Sequence, residues 1–201
     1  MQLLKNGQLF HSFNETITIF GLGLSLSIIL GFLLGILIGI NQSFREWTTY
    51  CFECLRTIPP PVIIPIAVLL LGYSNSMKIM MIVIATIWPI LLNVVAGINN
   101  IPTRLIDMST SFHLTQKEFI FKVLIPAILP NAIVGIRVTI PLAIILTLLT
   151  QMLTGSPGLG GIMIAAQRNH NASQVFGVLI IVGILGLTVN ILSNVIEKKC
   201  T

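Results

Sequence analysis

The chain has 201 residues, of which 55% are hydrophobic and only 8% are charged. Soluble domains carry roughly 25% charged residues, so this composition excludes an ordinary water-soluble fold and indicates a lipid environment. The net charge of +5 comes from Lys and Arg residues scattered between apolar stretches. It lacks the basic patches interleaved with aromatic residues that bind nucleic acid, so no nucleic-acid partner is expected.

Five apolar stretches predict an all-α, polytopic membrane helix bundle of about five transmembrane helices, forming one domain over residues 1–201. The first, Ile17 to Ile40, is uncharged and long enough to cross a hydrocarbon core about 30 Å thick. The second, Ile58 to Gly72, is short and begins with prolines, so it either crosses with help from its flanks or enters partway and breaks. The remaining stretches are Ile79 to Ile98, Ala132 to Thr150 and Val175 to Ile196.

Small residues recur every four positions in the first stretch, at Gly31, Gly35 and Gly39. Such a face lets two helix backbones approach closely. The pattern fits packing within the chain and contact between subunits equally well.

The distribution of Lys and Arg predicts the orientation in the membrane, because basic residues accumulate on the cytoplasmic side. Placing the segment between the third and fourth stretches in the cytoplasm puts most of the basic residues inside: Arg45, Arg56, Arg104, Lys117, Lys122, Arg137, Lys198 and Lys199. Only Lys5, Lys78 and Arg168 then lie outside. The N terminus is therefore expected outside and the C terminus in the cytoplasm.

No residue pattern indicates catalysis or a metal site. Cys51 and Cys54 form a CxxC pair without the further ligands that a zinc site needs. The glycine-rich turn at 155–161 lacks the Lys and Ser/Thr of a phosphate-binding P-loop. The histidines fall in three different loops, at His11, His113 and His170. We therefore expect no enzymatic activity and no cofactor or metal in this chain.

A polar segment separates the third and fourth stretches. Apolar side chains at helical spacing predict a helix from Leu105 to Val123. Thr115 and Glu118 form a capping-box pattern, so a break is expected near His113 and Leu114. Pro126 and Pro130 are expected to redirect the chain into the fourth span. The pattern alone leaves three roles open for this helix: resting at the membrane interface, packing under its own bundle, or contacting a cytoplasmic partner.

The same segment resembles the EAA loop of permeases from binding-protein-dependent ABC importers. Asp107, Met108 and Ser109 stand where that family has Glu-Ala-Ala, and His113 stands where it has Gly. The runs "IPAILP" and "GIR" fit the family's L-P-x-x-x-P and G-L-R elements. "RTIPPPVIIPIAVLLLG" and "GSPGLGGIMIAAQ" are similar to segments of the nitrate/sulfonate/taurine-type branch, with Gln151 where that branch usually has Glu.

The resemblance implies a type I ABC importer permease fold with a coupling loop at about 101–126 that carries a short cytoplasmic coupling helix. It implies cytoplasmic ABC ATPase subunits that hold ATP and Mg, a second permease chain, identical or different, and an extracytoplasmic solute-binding protein. The cargo it implies is a small anion such as a sulfonate, taurine or nitrate, or a related small metabolite. The location it implies is the bacterial cell (inner) membrane. The residues it implies for coupling to the ATPase are Leu105, Asp107, Met108, Ser109, Phe112, His113, Leu114 and Lys117.

Two further expectations concern the membrane-embedded part. Members of the family commonly carry one more span before the first one counted here, so the chain begins where their second span would. Polar residues within spans are predicted to line the substrate pathway, or alternatively to form hydrogen bonds between helices. They are Asn93, Thr139, Thr147 and Gln151, together with Asn190 and Asn194.

A self-sufficient channel or secondary carrier is the competing function. A channel needs a pore-lining span, which Ile17 to Ile40 would supply. A carrier usually has internal repeats with broken helices and a buried acid or base, which the sequence lacks. The two classes differ in whether an ATPase purifies with the chain.

Overall fold

The computed structural model describes residues 8–41 and 57–200, except for the side chains of residues 192 and 194–200. Its regular elements within these ranges are all helical, which confirms the predicted fold class. In chain order they are α1 Gln8–Ile40, α2 Pro60–Leu71, α3 Asn75–Asn99, α4 Thr103–Ser111, α5 Gln116–Phe119, a π-helical turn Ile120–Leu124, α6 Ile125–Thr154, α7 Leu159–Arg168 and α8 Ala172–Cys200. Lys5, Arg45, Arg56, Cys51 and Cys54 lie outside the described residues.

Four described helices are long and apolar enough to cross a membrane: α1, α3, the continuous helix Gln116–Thr154, and Ala172–Ile191 within α8. The second predicted span is the 12-residue helix α2. At about 18 Å it is shorter than the hydrocarbon core. It begins after Pro59 and ends at Gly72, whose φ of 67° favours glycine. The five predicted spans are therefore four long helices and one short one in the described residues.

Helix α3 lies at the centre of the bundle, between α1 and α6. The glycine face of α1 packs against it, because a Cβ on Gly35 would lie 2.8 Å from Val94 and one on Gly31 would lie 3.0 Å from Ile90. On the opposite side, a Cβ on Gly135 of α6 would meet the carbonyl oxygen of Pro89 at 2.9 Å. The spaced glycines therefore serve packing within the chain, which was one of the two readings left open by the sequence.

The prolines after the polar segment do not interrupt the helix. The helix continues from Gln116 to Thr154, with a π-helical turn at Ile120–Leu124 immediately before Pro126. A proline ring clashes with the preceding turn of an α-helix, and the wider π-helical turn gives it room. The segment therefore enters the fourth span as one continuous helix of α5, the π-helical turn and α6, and the predicted change of direction at the prolines stays a prediction.

The two ends of the bundle carry different structures. Helices α3 and α6 are antiparallel, since Gly97 lies beside Asn131 near one end while the start of α3 and the end of α6 lie near the other. The α4 end is defined by α4 and α5. The α7 end is defined by α7, the first turns of α1 and α3, and the last turns of α6. Apolar side chains of α1, α2 and α8 point outward between these ends, as a surface in contact with lipid or another embedded chain requires.

Candidate functional site

Helix α4 packs little against the rest of the bundle, and the structures at its two ends hold it in place. It starts after Pro102, which offers no side-chain cap. At its other end the N–H of His113 donates to the carbonyl of Thr110 at 3.0 Å, and the N–H of Leu114 donates to that of Ser109 at 3.1 Å. These two bonds make a Schellman motif, and His113 supplies its left-handed residue with φ 49°. The position where the family has Gly is thus the one where this helix needs a positive φ.

The predicted coupling residues come together on α4, the turn after it and the start of α5. Ser109 is the only buried residue of α4, and its hydroxyl donates to the carbonyl of Ile106 at 2.6 Å. Phe112 is 73% exposed and Met108 is 54% exposed. The others are exposed or partly exposed: Leu105, Asp107, His113, Leu114 and Lys117. Large apolar side chains exposed on a short polar helix are typical of a surface that another protein covers.

Helix α5 begins with the predicted capping box. The N–H of Glu118 donates to Thr115 Oγ1 at 3.4 Å, and the N–H of Thr115 donates to Glu118 Oε2 at 3.1 Å. The other carboxylate oxygen of Glu118 lies 3.0 Å from Lys122 Nζ. The predicted break at His113 and Leu114 is confirmed. A short turn therefore joins the exposed surface of α4 to the continuous helix formed by α5 and α6.

The predicted pathway residues lie between helices of this chain. Thr139 and Thr147 are fully buried, and their hydroxyls donate to carbonyls one turn earlier, those of Gly135 at 2.9 Å and Ala143 at 2.7 Å. Asn93 is half-buried and donates to the carbonyl of Pro89 at 2.7 Å. Asn190 is exposed, and the side chain of Asn194 is outside the described part. Their role in the pathway stays a prediction.

Gln151 is the centre of a hydrogen-bonded group at the α7 end. It is fully buried, and its Oε1 lies 3.1 Å both from the N of Gly160 and from Thr16 Oγ1. Thr16 Oγ1 in turn accepts the N–H of Leu159 at 2.9 Å. We call Thr16, Gln151 and these two amides the Thr16–Gln151 cluster. It joins α1, α6 and α7.

Sequence reasoning missed several of the buried polar residues. The hydroxyl oxygens of Ser27 and Thr86 lie 2.6 Å apart and connect α1 to α3. Ser27 occupies the same four-residue series as Gly23 and Gly31, so its place on the packed face was readable from the spacing. Thr16 lies at the edge of the first apolar stretch, and nothing in the sequence links it to Gln151.

Lys78 was counted as an outside loop residue, but it is a buried residue of α3 with 2% of its surface exposed. Its ammonium donates to Asn75 Oδ1 at 2.9 Å, and Asn75 Nδ2 donates to Glu15 Oε1 at 3.0 Å. This chain of contacts connects the first turn of α3 to α1. It places the cation near a carboxylate, as a buried charge requires.

A cleft of about 410 Å³ opens beside α7. Its polar lining residues are uncharged, and they come from α1, the glycine-rich turn, the end of α7 and the start of α8: Gln8, Ser12, Ser156, Asn169 and Gln174. Residues of α7 form one wall: Gly161, Ile162, Ala165 and Ala166. The position of α7 therefore sets the width of this cleft.

Comparison with known proteins gives consistent matches over most of the chain. The model of a family described as "binding-protein-dependent transport system inner membrane component" matches residues 27–200. The nitrate import permease protein NrtB of Leptolyngbya laminosa is 31% identical over 191 residues, which cover 95% of this chain and 68% of that protein. The putative aliphatic sulfonates transport permease protein SsuC of Bacillus subtilis (strain 168) is 26% identical over 198 residues, covering 98% and 72%.

Solved structures share the fold. Two inward-facing crystal forms of the MetNI methionine ABC transporter contain chains that superpose with TM-scores of 0.81 and 0.84 at 20% identity. The matches cover 96% of both chains in the first case and 100% of both in the second. The arrangement of helices described above is therefore that of an ABC transporter subunit of known structure.

Proposed function

The chain belongs to the family of binding-protein-dependent transport system inner membrane components, and on that premise we propose how it works as the permease subunit of an ABC importer. Helix α4 is the contact that receives force from a separate cytoplasmic ATPase. ATP and Mg are held by that ATPase. The family assignment removes the support for a self-sufficient channel or carrier.

The observation that carries this proposal is the exposed apolar surface of α4. Phe112 and Met108 project from a helix whose other residues are largely polar, and only Ser109 is buried. An apolar side chain of this kind gains stability when a partner removes it from water, by about 25 cal/mol for each Å² buried. A pocket on the ATPase would therefore hold α4 by Phe112, while Asp107 and Lys117 orient it.

The chain between α4 and α6 is the route by which a movement of α4 would reach the membrane-embedded helices. The Schellman motif at His113 and the capping box at Thr115 leave a short, hydrogen-bonded turn between α4 and α5. From Gln116 onward the chain is one helix of 39 residues. Closure of the ATPase pair would move α4, and α5 and α6 would carry that movement across the bilayer as a rod.

The cargo we propose is a small anion such as nitrate or an aliphatic sulfonate. The two relatives above are named for these solutes, and this chain spans 68% and 72% of their lengths. The predicted pathway residues Asn93, Thr139, Thr147 and Gln151 carry hydroxyl or amide groups and no charge. An anion would thus meet dipoles in this chain rather than a fixed cation.

The remaining parts of the assembly follow from the same premise. A second permease chain would complete the pathway, and a solute-binding protein would deliver cargo at the α7 end, outside the cell. The α4 end, with Arg104, Lys117 and Lys122, would face the cytoplasm, which fits the rule that basic residues stay inside. The N terminus would then lie outside and the C terminus inside.

Substitution of Phe112 tests this proposal. We expect Phe112→Asp to lower ATP-driven uptake of nitrate or ethanesulfonate by about tenfold or more, because a charge replaces the buried anchor. Asp107→Ala should reduce uptake as well. Phe112→Leu is the matched control, since it keeps a large apolar side chain at the same exposed position. Uptake is measured in cells that also produce the ATPase and binding protein, with immunoblots of membranes to confirm insertion.

Stimulation of the ATPase provides the second measurement. The purified Phe112→Asp complex should lose the stimulation by loaded binding protein that the Phe112→Leu complex keeps. Unchanged uptake and unchanged stimulation in both Phe112→Asp and Asp107→Ala would overturn the coupling role of α4.

A further inference from the structure

We propose that Thr16 and Gln151 form an interhelical cap that positions α7 for transport, and that residue 151 acts in it only as a hydrogen-bond acceptor. The proposal rests on the proposed transport function and deepens it, because it gives Gln151 a positioning role in place of contact with cargo. Its evidence is the geometry of the Thr16–Gln151 cluster.

The start of α7 has no cap of its own. The first N–H groups of a helix have no partner within the helix, and the N-cap residue here is Gly158, which has no side chain to offer. The N–H of Leu159 donates instead to Thr16 Oγ1 at 2.9 Å, and that of Gly160 donates to Gln151 Oε1 at 3.1 Å. Two residues from two other helices thus fix the start of α7.

The donors around Gln151 Oε1 show what the cluster requires of residue 151. The N–H of Gly160 donates to this oxygen at 3.1 Å. Thr16 Oγ1 has one proton and two acceptors within reach, the carbonyl oxygen of Ser12 at 2.9 Å and Gln151 Oε1 at 3.1 Å. Both groups that Gln151 Oε1 contacts are donors to it, so residue 151 serves the cluster as an acceptor.

The amide nitrogen of Gln151 makes no hydrogen bond in the cluster. Its Nε2 is buried and has no hydrogen-bond partner among the described residues. A flipped amide would point Nε2 at the N–H of Gly160, so the orientation is fixed. Leaving buried donors unpaired is destabilising. A carboxylate at this position would keep the acceptor for Gly160 and Thr16 and lie at the positive end of the α7 dipole. Its second oxygen would be buried without a partner, which offsets part of that gain.

The turn before α7 is shaped around this side chain. Gly158 has φ 135°, and a Cβ there would collide with the amide of Gln151. A Cβ on Gly160 would collide with the carbonyl oxygen of Leu148. Helix α7 is thus seated closely on α6, and it forms a wall of the 410 Å³ cleft. Loss of the cap would shift that wall, and with it the opening through which cargo would enter.

Four variants in the assembled transporter test the proposal. Gln151→Glu and Thr16→Ser keep the acceptor and the hydroxyl, whereas Gln151→Met and Thr16→Val remove them with little change in volume. We expect Gln151→Met and Thr16→Val each to lower the maximal uptake rate by about tenfold, because each loses a buried hydrogen bond. Gln151→Glu and Thr16→Ser should each retain a maximal uptake rate within about threefold of the wild-type rate. Uptake of nitrate and of ethanesulfonate is measured against concentration.

The two cargos separate positioning from cargo contact. A positioning residue changes the maximal rate for both cargos alike and leaves each KM unchanged. A change confined to the KM of one cargo would show that Gln151 touches cargo and would overturn the proposal. Wild-type rates in Gln151→Met, or a Gln151→Glu variant as slow as Gln151→Met, would overturn it too.

Thermal unfolding of the purified complex decides the matter where uptake cannot be measured. Gln151→Met should melt below the wild type, and Gln151→Glu, which keeps the acceptor, should melt above Gln151→Met; equal melting temperatures for all three would contradict the cap. If Gln151→Met does not assemble, the pair Thr16→Ser and Thr16→Val decides by the same criterion. Failure of the proposed transport function would appear differently, as a wild-type complex without ATP-driven uptake.

Discussion

Helices α4 and α7 end in the same way and begin in different ways. Each ends in a Schellman motif with a histidine in the left-handed region, His113 with φ 49° and His170 with φ 51°. At the start, α4 has Pro102 and no side-chain cap, whereas α7 is capped by Thr16 and Gln151. Helix α4 is largely exposed, whereas the start of α7 is fixed by side chains of two other helices.

Helix α7 is packed against the rest of the chain, whereas α4 is largely exposed. Contacts of α7 reach α1, α6 and α8, and Leu159 and Ala166 are buried. In α4 only Ser109 is buried. Substitutions near α7 should therefore lower stability, while those on α4 should lower coupling with little effect on the fold.

The largest effect on stability is expected from Gly158→Ala. Its φ of 135° strains any side chain, and a Cβ would collide with Gln151, so the free energy of unfolding should fall by about 3 kcal/mol or more. The matched control is Gly155→Ala, because Gly155 has φ 59° and open space around it. That change should cost only about 1 kcal/mol. Thermal unfolding in detergent compares the two, and equal losses would remove the claim that α7 is seated on Gln151.

A smaller effect is expected at the start of α5. Thr115→Ala removes the side chain that accepts the N–H of Glu118 and should lower stability by about 1 kcal/mol. Thr115→Ser keeps the hydroxyl and serves as the control. The same unfolding assay measures both. If Thr115→Ala and Thr115→Ser behave alike, the capping box contributes nothing to the link between α4 and α5.

Because α4 and α7 end in the same motif, we expect glycine to stabilise the protein equally at both ends. His113→Gly and His170→Gly should each raise the free energy of unfolding by about 0.5 kcal/mol, because Gly adopts a positive φ without strain. His11→Gly is a control of opposite sign, since His11 lies within α1, where Gly costs up to about 1 kcal/mol. A gain at only one of the two helix ends would break the comparison.

The smallest effect is expected for the ion pair between Glu118 and Lys122. The two side chains are 41% and 64% exposed, so water screens their attraction. Lys122→Ala should change stability by no more than about 0.5 kcal/mol. A loss well above 1 kcal/mol in the unfolding assay would mean that this pair does more than its exposure allows.

The features that could be predicted from sequence are those with local signals. Thr115 and Glu118 are three residues apart, and their capping box was readable, as was the break before it. The glycines of α1 gave the packed face, although only the structure identifies α3 as its partner. Pro126 suggested a change of direction, because the sequence gives no sign of the π-helical turn that accommodates it.

Features that depend on distant contacts were not predictable. Thr16 and Gln151 are 135 positions apart, and their meeting depends on how α1 and α6 cross. Lys78 looked like a loop residue, although Ser74 caps the start of α3 by accepting the N–H of Met77 at 3.1 Å. The burial of the first turns of α3 depends on distant contacts and has no local signal. The length of α2 depends on Gly72 and on packing against α3 that the sequence does not specify.

Photo-cross-linking from the two helix ends tests the central claim most directly. A photoreactive amino acid replaces Phe112, the C-cap of α4, in one protein and Asn169, the C-cap of α7, in the other. Irradiation in native membranes, with the ATPase and binding protein present, should give a covalent adduct with the ATPase from position 112 only. Absence of that adduct with and without ATP, or an ATPase adduct from position 169, would contradict the account.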